Sequence, residues 1–115
     1  MYKPINGWTK AKIVEQIKQR NDGYQSTNKD GGCMYRNNKE SSGNACAIGC
    51  FIPDDRYEPS MEGQGIRFLL DEFPSLFDYM PLPENALLEL QKTHDKFAED
   101  TQKQMIEWVE NNVQD

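Results

Sequence analysis

The sequence has no apolar run approaching the roughly 18 residues needed to cross a bilayer, and its start has no basic segment leading into an apolar one. Both lacks point away from a membrane or exported protein, and the expectation is a soluble chain in the cytoplasm. Histidine is almost absent, with His94 alone, and the cysteines number only 3. An odd count leaves one thiol outside any closed disulfide framework, and a chain without an export signal keeps its thiols reduced. Metal binding, catalysis and plain burial remain. Basic residues are scarce beyond the midpoint: residues 1–50 carry a balance of +4 and residues 51–115 one of −10, within a net charge of −6. That asymmetry repels a phosphate backbone and disfavours nucleic acid as partner, while an acidic face suits a basic protein.

What is present describes one small domain spanning residues 1–115. A hydrophobic share of 37% and a charged share of 28% suit a modest core under a polar surface. No internal repeat or low-complexity tract occurs. Trp8, Ala11, Ile13, Val14 and Ile17 fall near a 3.6-residue period and predict a helix over 8–20, with Asn6 or Thr9 as N-cap and Asp22 and Gly23 as the stop. Residues 24–32 have loop composition. Residues 33–36 and those after Gly43 flank a polar turn, which predicts a short irregular or β-hairpin arm. The apolar run 45–52 is too short for periodicity to separate strand from helix, and a short helix capped by Asn44 is preferred, ended by Pro53. Ile66, Leu69, Leu70 and Phe73 predict another helix, stopped by Pro74, with a further single turn over 75–80. After Pro83, Leu87, Leu90, His94 and Phe97, then Met105, Ile106, Val109 and Val113, predict one long helix or two, broken at Glu99, Asp100 and Thr101 with Asp100 or Thr101 as the new cap. The fold class is therefore mainly α, a small helical domain with a short arm.

The densest chemistry lies at Cys33-Met-Tyr-Arg36 and at Cys46-Ala-Ile-Gly-Cys-Phe-Ile-Pro-Asp54, followed by Tyr57-x-Pro59, Met61-Glu-Gly63, Leu90-Gln91 and His94-Asp95. Over residues 8–110 these segments resemble a family of small phage and prophage proteins of no assigned activity that share C-x-Y-R, C-A-[IV]-G-[CH]-L-I-P-D-E and L-Q-x-x-H-D. This chain departs from that pattern at Phe51, where Leu is usual, and at Asp55, where Glu is usual. The resemblance implies a phage-encoded accessory protein, a class that often acts by binding a host machine.

Three readings compete for the cysteines. In the first, Cys46 and Cys50, four apart, project from one helical face, with Cys33 from the arm and His94 as fourth ligand. Zinc favours such tetrahedral sulfur and nitrogen sets, and it would add folding free energy to a small core. The resemblance includes relatives with His at the position of Cys50, which fits a ligand exchange, although C-x12-C-x3-C is no recognised finger spacing. In the second, Cys46 in a first helical turn is an activated nucleophile of a hydrolase or transferase, with His94 as base. Asp95, adjacent to His94 on a helix, is expected to point elsewhere. In the third, both thiols and His94 are close-packed core, Gly49 allows close approach, and no cofactor is bound.

Arg36 reads as an internal partner of Asp54 or Asp55 ahead of an anion clamp. Trp108 reads as packing on the first helix or as a partner anchor, and packing is preferred. The function expected is binding of a host protein, a defence or replication component, so as to inhibit or redirect it. The acidic C-terminal residues Glu99, Asp100, Glu107 and Glu110 form the expected contact surface. Sequestration of a small ligand such as a nucleotide is a further alternative. The oligomeric state is left open.

Overall fold

A computed structural model describes residues 1–21, 23, 34–37, 44–63, 65–96 and 99–114. Within them lie four α-helices, α1 (Lys10–Arg20), α2 (Ile66–Glu72), α3 (Glu84–Lys96) and α4 (Thr101–Asn112). A two-stranded antiparallel arm, β1 (Arg36–Asn37) with β2 (Asn44–Ala45), pairs Arg36 with Ala45 and Asn37 with Asn44. Turns of 3-10 helix occupy Gly49–Phe51, Pro59–Met61 and Pro74–Tyr79. The protein is thus mainly α-helical with a short hairpin arm. The loop expected over 24–32, the polar turn of the arm and Phe97 lie outside the described residues.

Helix α1 starts two residues later than its apolar pattern suggests, because Thr9 is the cap. Thr9 is extended, and its hydroxyl accepts from the Lys12 amide at 3.2 Å, satisfying one of the donors that a helix start leaves unpaired. Ile13 and Ile17, one turn apart, have no exposed surface. Trp8 stays outside the helix, donating its indole N–H to the Tyr79 carbonyl and meeting the Phe51 ring edge-on at 5.3 Å.

The break between α3 and α4 falls where expected, although the cap works differently. Asp100 sits in the left-handed region at φ 57° and makes no side-chain capping bond. It turns the chain by backbone conformation, a role that short polar residues such as Asp tolerate best after Gly. The Thr101 amide, which has no partner within the helix it begins, donates to the Gly23 carbonyl at 2.9 Å.

Helices α3 and α1 both pack on α4, and α1 also packs on the Gly49–Phe51 turn. The core formed there contains Ile13, Ile17, Ile48, Ile52, Leu69, Leu87, Leu90, Met105 and Val109, none with more than a trace of exposed surface. The two ends of the chain are clasped. Tyr2 forms a parallel bridge with Val113, its amide donating to the Asn112 carbonyl and its carbonyl accepting from Gln114. The Tyr2 ring stacks on Trp108 at 6.1 Å, so Trp108 packs against the N-terminal segment. The Tyr2 hydroxyl donates to the Glu89 carboxylate, and that bond holds the phenol above its usual pKa.

Candidate functional site

The segments that carry the sequence's unusual residues converge on one irregular turn. Asn44 does not cap a helix as expected. With Ala45 it forms β2, and its backbone is committed to the ladder with β1 until Cys46. Only then does the chain coil: the Cys50 amide donates to the Cys46 carbonyl at 3.0 Å, Phe51 to Ile48 at 3.0 Å and Ile52 to Gly49 at 3.2 Å. The close approach expected of Gly49 is made to the arm. A Cβ added at Gly49 would lie 1.8 Å from the Tyr35 carbonyl oxygen.

Irregular backbone inside a core needs partners that a helix or sheet would have supplied, since each buried unpaired group costs about 1–3 kcal/mol. Side-chain amides from α1, from the residue that follows it and from α3 provide them. Asn21, itself buried, donates to the Ala45 carbonyl at 2.8 Å, and Gln16 donates to the Cys50 carbonyl at 2.9 Å. Gln91 on α3 accepts from the Ile48 amide at 3.4 Å. Glu62 fastens the arm from the other side, accepting from the Tyr35 amide at 2.8 Å and from the Tyr57 hydroxyl at 2.6 Å.

The thiols lie inside this frame. Cys46 and Cys50 have no exposed surface. The Cys46 sulfur accepts from the Gly49 amide at 3.4 Å, and the Cys50 thiol faces the Ala45 carbonyl at 4.0 Å. A thiolate nucleophile needs an approach path for its substrate, so reaction at Cys46 would require the turn to open. Cys33 lies outside the described residues, and among the described residues no three His, Cys, Asp or Glu side chains are gathered so as to hold a metal ion.

His94 is fully buried, and its surroundings differ from expectation. The Asp95 carboxylate does not point away: its Oδ1 lies 2.9 Å from His94 Nδ1. The reason is Gln91, one turn earlier, whose Nε2 donates to the same Oδ1 at 2.9 Å and lies 3.3 Å from Nδ1. This pairing of positions four apart draws the short, half-exposed Asp95 chain back over the helix. Gln91 therefore joins the cysteine turn to the His94 and Asp95 pair, a link visible beforehand only as one letter of L-Q-x-x-H-D.

The expected contact residues Glu99, Asp100, Glu107 and Glu110 are all exposed. Glu110 is engaged on one side, 3.7 Å from the Lys10 ammonium of α1. Asp54 is held by Arg20 at 2.8 Å, while the pairing expected between Arg36 and Asp54 or Asp55 lies outside the described residues, the Arg36 side chain not being among them. Unanticipated is the outward face of α2, where Phe68 is 72% exposed. Among the described residues no helix is long and apolar enough to cross a membrane. No family model, curated protein or solved structure matches the chain.

Proposed function

We propose that the chain is a phage-encoded accessory protein that binds a host protein in the host cytoplasm and inhibits or redirects it. The observation that supports this reading is the division of chemistry between inside and outside. Cys46, Cys50 and His94 are enclosed, with their neighbours occupied in holding the turn together. The carboxylates Glu99, Asp100 and Glu107 lie on the surface just before and along α4, where they attract a basic partner and speed its encounter.

The test reverses charge where the contact is placed. With host lysate as the source of partner, Glu107→Lys combined with Glu110→Lys is expected to reduce capture at least about tenfold, with capture by the parent protein falling as salt is raised. Because Glu110→Lys also sets two cations against each other at Lys10, a thermal melt accompanies it, and capture is measured well below the midpoint. Cys46→Ala is expected to capture normally. Undiminished capture by the double reversal would overturn the placement of the contact on α4, and absence of any salt-sensitive capture by the parent protein would overturn the binding reading itself.

A further inference from the structure

We infer that the outward face of α2 around Phe68 is a docking surface for an arginine side chain presented by a partner protein. The inference goes beyond the binding reading by placing a contact on α2 rather than α4, and it rests on that reading for the partner being a protein. The inner face of α2 is settled by Ile66 and Leu69, both buried. At 100° per residue, Phe68 then points away from the core, and Asp71 and Glu72, three and four positions on, stand to either side of it one turn nearer the C-terminus. A single exposed apolar residue is ordinary on a protein surface. Here the ring lines an open depression of about 630 Å³ with Gly63, Gly65, Asp71 and Glu72. Two glycines on that lining leave backbone where side chains would otherwise fill the space, and a Cβ at either would meet nothing within 4 Å.

The charges point one way. Arg67, the nearest cation in sequence, lies 3.4 Å from Glu84 and is thereby offset. Asp71 and Glu72 have no ion-pair or hydrogen-bond partner among the described residues. They also stand at the C-terminal, negative end of α2. An aromatic face flanked by two carboxylates matches a guanidinium in both of its modes, stacking on the ring and accepting planar, forked hydrogen bonds. An ammonium shares only the charge.

The experiment uses the full chain and a short Gly-Arg-Gly-Arg-Gly peptide, followed by amide shifts in two-dimensional NMR. The expected shifts centre on Gly63, Gly65, Phe68, Asp71 and Glu72. Phe68→Ala should weaken the peptide about fivefold, Phe68→Tyr should retain it, and the corresponding Gly-Lys peptide should bind about threefold more weakly. Because Phe68 is exposed, thermal melts of both variants should match the parent. Equal affinity after Phe68→Ala would overturn the inference, as would shifts that follow Glu107 and Glu110 instead. Concentration-dependent dimerisation abolished by Phe68→Ala would also overturn it, by assigning the face to a second copy. The titration needs no host protein, so its failure is separable from failure of lysate capture through α4.

Discussion

Gly49→Ala is expected to lower the thermal midpoint further than any other substitution of a single methyl group in this protein. The added Cβ would fall 1.8 Å from the Tyr35 carbonyl oxygen and 2.7 Å from its carbon. The obstacle is backbone, held by the ladder beside it and by the bond from the Tyr35 amide to Glu62, so no rotamer change relieves the contact. Overpacking against movable side chains costs about 1–3 kcal/mol, and a rigid obstacle puts this case at about 3 kcal/mol or more. Stabilities of about 5–15 kcal/mol make that a large fraction of the total. At about 4 °C per kcal/mol for a chain of this size, the midpoint should drop by about 12 °C or more. Gly49 is not among the residues of positive φ, so the effect is one of contact and not of backbone strain. Gly65→Ala, with nothing within 4 Å of its Cβ, is the control and should cost less than about 1 kcal/mol. A Gly49→Ala midpoint within about 2 °C of the parent would mean that the arm and the cysteine turn do not touch as described.

Ile17→Ala is expected to cost a comparable amount by the opposite route. Ile17 has no exposed surface, and α1 is packed both on α4 and on the Gly49–Phe51 turn. Neither neighbour can close the gap freely: α4 is also tied to α3, and the turn is pinned through Gln16, Asn21 and Gln91. Removing a large aliphatic chain from such a place costs about 2–5 kcal/mol, the upper half applying where collapse is hindered, whereas Ile17→Val should cost about 0.5–1.5 kcal/mol. Urea unfolding measures both. An Ile17→Ala loss below about 1 kcal/mol would show that the two packing partners move together and that the turn is looser than its hydrogen bonds imply.

The helices were legible wherever one local rule acted without competition. Ile13 and Ile17 follow the helical period, Thr9 is a strong cap, Pro74 ends α2, and the polar stretch before Thr101 separates α3 from α4. The cysteine segment was not legible because contacts remote in sequence decide it. Asn44 has the chemistry of a cap, but pairing with Asn37 places it in a strand. Whether residues 46–52 coil regularly depends on Tyr35 pressing against Gly49 and on amides 24, 34 and 43 positions away. No period in a run of eight letters encodes those partners. Asp95 misled for a related reason: adjacent helical side chains diverge on average, and Gln91 overrides the average here.

The candidate residues were legible as buried positions and not as chemistry. Spacing marked Cys46, Cys50 and His94 together, and all three are fully buried. The groups that organise them, Gln16, Asn21, Gln91 and Glu62, are polar residues of ordinary type whose importance lies in which carbonyl or amide they reach. Phe68 was readable in principle, since the same period that sends Ile66 and Leu69 inward sends it outward.

On the proposed reading the cysteine turn is an enclosed fastening, and a partner meets the protein at its surface. The most direct measurement is the rate at which Cys46 and Cys50 are alkylated in the native protein across a urea series, each thiol assigned by peptide mass. If the turn opens only with the whole fold, both thiols should react at least about a thousandfold more slowly than in the unfolded chain, and their protection should fall with urea along the slope of global unfolding. A Cys46 that reacts rapidly in the absence of urea, at a rate indifferent to denaturant, would contradict the account and return the cysteine turn to candidacy as a reactive site.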